Sequence, residues 1–190
     1  SIPTNDAKME NQGVEFTFNV HAVDERNVKL DVRLNGAHYK NKMLVMPVDY
    51  YNADGTAVRQ KMSGAMSVGH SAYDHYTLVY GGVDEEGNAL YQGYYDVRYG
   101  EGSYMADKGN NEYNYITSLH QWILDQEEEG VDNPEQFLRD TLTNDASFAA
   151  QQYVGKSYLP DIAGGVGVDL DVYGVTLSVA CSYQIGGYGY

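Results

Sequence analysis

The stretch VDLDVYGVTLSVACSYQIGGYGY, residues 168–190, is the strongest fold signal in this chain. From Tyr173 onward every second residue is apolar or aromatic: Tyr173, Val175, Leu177, Val179, Cys181, Tyr183 and Ile185. The residues between them, such as Ser178, are small or polar. Alternation with a period of two predicts a β-strand with one apolar and one polar face. Because residues 162–171 alternate in the same way, the tight turn at 171–174 predicts a hairpin.

A second hairpin is predicted near the N-terminus. The first strand places these residues on one face: Val14, Phe16, Phe18, Val20 and Ala22. Residues 28–35 alternate as well, and the polar turn DERN, residues 24–27, joins the two strands. Each predicted strand has about ten residues, which is the length that a tilted strand needs to cross a bilayer.

Strands of this kind occur in soluble β-sandwiches and in the walls of outer-membrane barrels. Three features favour the barrel. The strands are long, and their polar faces carry full charges such as Asp31, Arg33 and Asp169. Short turns also alternate with one connection of about 120 residues, as periplasmic turns and outer loops do in barrels.

Composition limits the class of partner. The 190 residues carry a net charge of −15, which disfavours nucleic acid because phosphate binding needs clustered Lys and Arg. The single cysteine cannot form an internal disulfide, so a disulfide-stapled scaffold is excluded. The chain begins at Ser1, so we expect that a leader was removed or that the chain is a piece of a longer polypeptide.

The region between the hairpins has a different character. Residues 71–83 and 88–96 predict two strands joined around DEEG, and glycines at 100, 102 and 109 predict an irregular loop. Two short helices follow. The first is predicted from the helical spacing of Ile116, Leu119, Trp122 and Ile123. The second is predicted from an N-cap at Asn133 and would carry Phe137, Leu138 and Leu142.

No catalytic or metal site is predicted. The acidic run DQEEEGVDNPE, residues 125–135, lacks the spacing of a calcium loop, and a solvated surface is the better interpretation. The histidines lack the spacing of a helical zinc site, and no phosphate or dinucleotide fingerprint appears. We therefore expect a protein that is not an enzyme and that uses no cofactor.

Aromatic residues crowd the middle region, where their polar tips suit sugar faces and peptide ligands. They also suit a loop core or the aromatic girdle of a barrel. The candidate ligand-binding residues are Tyr104, Tyr113, Tyr115 and Trp122.

Three segments resemble the SusC-like, RagA-like family of TonB-dependent outer-membrane receptors. MENQGVEFTFNV, residues 9–20, is similar to a strand start of that family. MSVGHSAYDHYTLVYGGVDEEGNALY, residues 66–91, resembles its V-G-x-S/P and G-V-D-x-x-x-G motifs. The chain's end, residues 153–190, resembles its L-P-D-x-x-G-G motif followed by a strand pair and S-Y-x-I-G-G. The three segments appear in the family's order and cover less than half of the chain.

The resemblance implies a fold, a function and partners. The fold class is all-β: an antiparallel transmembrane β-barrel segment with long extracellular loops that carry two short helices. The expected layout is one barrel domain over 1–190, with a hairpin at 14–38, an outer loop region at 39–160 and a hairpin at 161–186. Because no plug and no TonB box is visible, the chain resembles an internal fragment from the later part of the barrel.

The implied function is uptake of glycans or peptides through the Gram-negative, Bacteroidetes-like outer membrane. The implied partners are a SusD-like surface lipoprotein, the TonB complex acting through the missing N-terminal part, and outer-membrane lipid. The alternative from the residues alone is a soluble β-rich module that binds glycan at the cell surface.

Overall fold

A computed structural model describes residues 6–99 and 115–189, and they are predominantly antiparallel β-structure, which confirms the all-β prediction. The strands are β1 (Lys8–Glu25), β2 (Val28–Val45), β3 (Val48–Tyr51), β4 (Ala57–Arg59), β5 (Met62–Ser63), β6 (Met66–Ser67), β7 (Asp74–Leu78), β8 (Tyr80–Val83), β9 (Ala89–Asp96), β10 (Leu138–Thr143), β11 (Gln151–Ser157), β12 (Pro160–Val172) and β13 (Val175–Gly186). The α-helix is α1 (Leu119–Glu128), and short 3-10 helices span Val97–Tyr99 and Pro134–Phe137. Within the described part of the chain, no helix is both long enough and apolar enough to cross a membrane.

The chain divides into two compact units. The first comprises Ser1–Ala57, Met66–Asp74 and Lys156–Tyr190. The second comprises Val58–Ala65 and His75–Gly155.

The first unit contains a four-stranded antiparallel sheet in the order β1-β2-β12-β13. Both predicted hairpins are present, and they pair with each other through β2 and β12. The register places residues of the same character in rows across all four strands. One such row is Phe18, Leu34, Val166 and Cys181. The first two strands have 18 residues each, so they extend well beyond the predicted alternation.

A β-bulge modifies the first strand between His21 and Val23. Its extra residue shifts the alternation, so Val23 rather than Ala22 lies opposite Leu30. The prediction that Ala22 continues the apolar face is therefore wrong. The bulge inserts one extra residue into β1, and the alternation of faces does not continue across it.

The turn between β12 and β13 uses two residues with positive φ. Tyr173 has φ 52° and Gly174 has φ 85°, which are the signs that a type I′ hairpin turn requires. Glycine adopts this conformation without cost, whereas a tyrosine is strained in it.

Replacing Tyr173 with Asn, which tolerates the left-handed region, is expected to stabilise this hairpin by about 1 kcal/mol. Gly174→Ala is the matched control. It is expected to destabilise the hairpin, because alanine, unlike glycine, is strained in the left-handed backbone conformation. Denaturant unfolding of the two variants checks both signs. A stability change of the same sign in both would contradict the assigned turn.

The second unit contains a three-stranded sheet in the order β10-β9-β8. The predicted hairpin around DEEG is present as β8 and β9, with Val83 opposite Ala89. Helix α1 follows the predicted spacing from Leu119 onward, whereas Ile116 precedes the helix and is buried.

The second predicted helix is wrong. Asn133 has a left-handed backbone conformation, with φ 49°, and its side chain makes no capping hydrogen bond. Only a short 3-10 helix follows, and the chain then extends as β10, where Leu138 lies opposite Asp96 and Thr143 opposite Tyr91. Pairing with β9 supplies the backbone hydrogen bonds that the helix would have made, so tertiary contact overrides the local start signal.

Candidate functional site

The four-stranded sheet exposes an apolar face. Its rows contain even-numbered residues of β1, β2 and β12 and odd-numbered residues of β13. One row is Val20, Val32, Val168 and Val179. These side chains are exposed instead of covered by a second layer: Val14 is 69% exposed, Val175 74% and Val179 48%. A contiguous apolar surface of this kind marks a membrane or protein contact, because soluble proteins rarely leave one open to water.

The opposite face is polar and charged. Arg33 donates from Nη2 to Oδ2 of Asp169 (2.6 Å), and the Ser178 hydroxyl donates to Oδ1 of the same carboxylate (2.7 Å). His21 forms an ion pair with Asp31. A concavity of about 420 Å³ lies over this network. The sheet therefore separates an apolar surface from a hydrated, charge-bearing one.

Two glycines allow aromatic side chains to approach the backbone closely on the apolar face. A Cβ on Gly36 would lie 2.5 Å from the Phe16 ring, and one on Gly164 would lie 2.7 Å from the Tyr183 hydroxyl. That hydroxyl donates to the Asn35 carbonyl (2.9 Å). The absence of side chains at the two glycines is thus what admits the rings and this hydrogen bond.

A polar pocket opens beyond the apolar rows, at the ends of β1 and β2 remote from the hairpin turns. Its volume is about 410 Å³, and its lining includes Gln12, His38, Lys40, Lys42, Ser71 and Ser157. We call it the rim pocket. The sequence did not predict this pocket, because the predicted strands end before they reach it. The signal that could have revealed it is that positions 38, 40 and 42 lie on the same face of β2 as Leu34 but carry a histidine and two lysines instead of apolar side chains.

The loop that forms one side of the rim pocket is held by Asn41. Its side-chain amide donates to Asn11 Oδ1 (2.7 Å), and its own Oδ1 accepts from the Ser71 hydroxyl (3.1 Å) and the Ala72 N–H (2.8 Å). Backbone hydrogen bonds between Met43 and residues 69–70 add to this attachment. Asn41 is buried, so these bonds fix the loop to β2.

Of the candidate ligand residues, two lie in the described second unit. Tyr115 pairs with Tyr95 through an isolated β-bridge and packs edge-on against Phe148, with ring centroids 4.7 Å apart. Trp122 lies half-buried on α1. Tyr104 and Tyr113 lie outside the described residues. An aromatic pair that the sequence did not predict lies beside the start of α1, where Tyr76 and Tyr153 pack edge-on with ring centroids 4.7 Å apart.

The acidic run is partly neutralised within the second unit. Lys61 Nζ lies 2.6 Å from Oδ1 of Asp125 and also forms an ion pair with Glu128. Hydrogen bonds to Asp125 and then to Glu128 raise the pKa of Lys61 above its usual value. Two of the acids thus hold the 58–65 segment on α1, while Glu127, Glu129, Asp132 and Glu135 are exposed, as a solvated surface requires.

Asp84 organises the turn between β8 and β9. Its Oδ1 accepts the N–H of Asn88 (2.7 Å) and of Glu86 (3.1 Å), and its Oδ2 accepts the Asn88 side-chain amide (2.9 Å). The hydrogen bonds from the side chain and backbone of Asn88 lower the pKa of Asp84 below its ordinary value of 3.8. A carboxyl with a depressed pKa stabilises the fold above its unfolded pKa, and this stabilisation is lost as the pH falls through the folded value.

Asp84→Ala is therefore expected to speed amide hydrogen exchange across residues 80–91 severalfold at neutral pH. Glu85→Ala is the control, because Glu85 is exposed. In the unchanged protein the same loosening is expected only when the pH falls below the ordinary range of an aspartate. Equal exchange in the two variants at neutral pH would show that the turn does not depend on this carboxylate.

Comparisons with known proteins place the fold. No protein-family model matches the chain, and no curated protein is significantly similar to it in sequence. Three solved structures of RagAB are similar. The "closed-closed" RagAB peptide importer has 15% identity and a TM-score of 0.52 over 94% of this chain. The RagAB peptide transporter has 16% identity and a TM-score of 0.52 over 95%. The "open-open" importer has 14% identity and a TM-score of 0.53 over 95%. At these identities the likeness concerns the fold alone, and this chain spans 15% of the length of each matched chain.

Proposed function

We propose that this chain is part of a TonB-dependent outer-membrane receptor of the SusC-like, RagA-like type. The observation that carries the proposal is the four-stranded sheet, which leaves a continuous apolar face exposed while its other face holds charged networks. An outer-membrane barrel wall has this arrangement, because lipid covers the outer surface and the lumen is polar. The fold shared with RagAB supports the same assignment.

The height of the apolar face supports a membrane location. A strand rises about 3.3 Å per residue, so the apolar stretch from Val175 to Ile185 is about 33 Å long. With a strand tilt of about 40°, it covers about 25 Å along the membrane normal, which is the height of the lipid-facing band in outer-membrane barrels. We call this stretch of rows the apolar band.

A soluble glycan-binding module fits less well. Such a module would enclose Val14 and Val175 in a closed core. Both side chains are instead more than two-thirds exposed, at 69% and 74%. The proposal does not assign the chain a catalytic role, and it requires no cofactor.

The proposed cargo is a peptide, ahead of a glycan, because the similar solved structures are described as a peptide importer and a peptide transporter. The proposed partners are a SusD-like surface lipoprotein and the TonB complex, which would engage a part of the receptor outside this chain. The outer loops between β2 and β12 would then face the cell exterior and the cargo.

The proposal is tested by the size and location of the natural polypeptide. An antibody against residues 125–145 is used on fractionated cells. A band several times the 21.1 kDa of this chain, in the outer-membrane fraction, is the expected result. A band near 21.1 kDa in the soluble fraction would overturn the receptor and favour the soluble module.

A role for the candidate aromatic residues is a further part of the proposal. Trp122→Ala in the full receptor is expected to lower the affinity for captured peptides by about tenfold or more, since tryptophans that contact a ligand contribute much of the binding energy. Peptides retained from a casein digest are quantified by mass spectrometry. Tyr80→Ala, an exposed aromatic in the same unit, is the control. Equal retention by both variants would remove Trp122 from the ligand site.

A further inference from the structure

The outward face of the sheet changes character abruptly at the end of the apolar band. Val14 lies opposite His38, and the next outward pairs are Gln12 with Lys40 and then Glu10 with Lys42. No register shift occurs between Met9 and His21, so these residues stay on the face of Val14. Two lysines therefore follow the apolar band within about 7–14 Å along the strand.

We propose that these two lysines, at the edge of the rim pocket, bind the phosphate-bearing headgroup of an outer-leaflet glycolipid, whose acyl chains lie on the apolar band. This inference rests on the proposed membrane location. It goes beyond that location, because it assigns a specific lipid site to residues that the transport function does not use.

The charges of Lys40 and Lys42 are available to a ligand. Within residues 6–99 and 115–189, neither lysine makes an ion pair or a hydrogen bond, and both are exposed. Lys29 and Lys61, by contrast, pair with carboxylates of the chain. Two adjacent outward lysines without such pairs are therefore notable in a chain of net charge −15. Lysines at the membrane surface attract anionic headgroups.

The surroundings of the pocket suit a headgroup that joins phosphate to sugar. Ser71 and Ser157 also line the pocket, where their hydroxyls donate to Asn41 Oδ1 (3.1 Å) and to the Tyr73 carbonyl (3.1 Å). Beside them, the Lys156 ammonium lies 4.1 Å from the ring centroid of Tyr188, whose N–H donates to the Ser157 carbonyl (2.8 Å). Tyr158 and Tyr188 are about half exposed. Tyrosines at this level suit the membrane interface and the faces of sugars.

Three carboxylates also line the rim pocket, so the attraction comes from the lysines rather than from the pocket as a whole. Glu10 lies opposite Lys42. Asp74 accepts the Ser71 N–H (3.0 Å) and lies 3.5 Å from the His70 ring nitrogen. Asp161 lies close against Gly186, and its carbonyl accepts from His38 (2.5 Å). The long lysine side chains can extend away from these acids toward a headgroup at the membrane surface.

The test uses the full receptor purified from outer membranes and placed in phosphatidylcholine nanodiscs. The probe is lipid A, added with and without its phosphate groups, and bound lipid is counted by native mass spectrometry. Replacing Lys40 and Lys42 together with Gln is expected to weaken binding of phosphorylated lipid A about twenty-five-fold, since each surface lysine contributes about a fivefold factor. Lys29→Gln, on the polar face near the hairpin turns, is expected to leave binding unchanged.

Arginine at both positions is expected to keep the binding, because the charge is retained. Equal binding by the Lys40→Gln, Lys42→Gln double variant and the unchanged receptor would overturn the lipid site. Should the double variant fail to fold, the unchanged receptor still decides the matter, because equal affinity for lipid A with and without phosphate would overturn the proposal. Absence of the natural polypeptide from outer membranes would be a failure of the proposed function instead.

Discussion

Val179→Arg is expected to destabilise the protein folded in a bilayer by about 2–4 kcal/mol, because it places a charge at the middle of the apolar band. Val179 lies in the row formed with Val20, Val32 and Val168, midway between the two ends of the apolar stretch. Neighbouring Ser178→Arg is expected to cost much less. The side chain at position 178 lies on the polar face, where the Ser178 hydroxyl donates a hydrogen bond to Asp169 (2.7 Å).

The same experiment includes arginine substitutions at different depths in the bilayer. Val175→Arg, next to the hairpin turn, is expected to cost about 0–1 kcal/mol, and Leu177→Arg an intermediate amount, because the penalty falls toward the interface. Refolding titrations of the full receptor into phospholipid bilayers measure all four variants. Equal costs for Val179→Arg and Ser178→Arg would refute the assigned faces. A flat series from Val175 to Val179 would refute the membrane location.

Gly164→Ala is expected to destabilise the sheet by about 3 kcal/mol, at the upper end of the usual cost of overpacking. A Cβ at this position would lie 2.0 Å from the Asn35 carbonyl oxygen and 2.8 Å from the Gly36 Cα. Both are backbone atoms of the neighbouring strand, so they cannot rotate away, and β2 and β12 would have to separate locally. The Tyr183 hydroxyl would also lose its place over the glycines.

Gly165→Ala is the matched control. Its nearest atom would be the Cys181 carbonyl oxygen at 3.3 Å, so a small adjustment accommodates the methyl group. Alanine also reduces the entropy of the unfolded chain, and we expect a net change within about 1 kcal/mol. Denaturant unfolding of the two variants is compared. Similar stabilities would show that the strands do not approach each other as closely at Gly164 as the structure indicates.

Local pattern was sufficient for the hairpins and insufficient for the region between them. The alternation around Val20 and Leu34 predicted two-faced strands, because a sheet with unlike environments on its sides imposes a period of two. Residues 134–143, predicted to be a helix, form a 3-10 helix and β10 instead. The partner strand β9 lies about 45 residues away in the chain, so the local sequence cannot show this pairing. The rim pocket was missed for a related reason: it joins β2 to segments near 70 and 157.

The sequence by itself determined which residues share a face, where the short turns fall, and that one face of each hairpin is apolar. These properties depend on neighbours within a few residues, so the local sequence is enough to predict them. Only the tertiary structure decided that the hairpins pair through Val32 and Val168, that Val23 replaces Ala22 in its row, and that lysines border the apolar band. Each of these depends on register between distant segments, and register is set by the fit of whole strands.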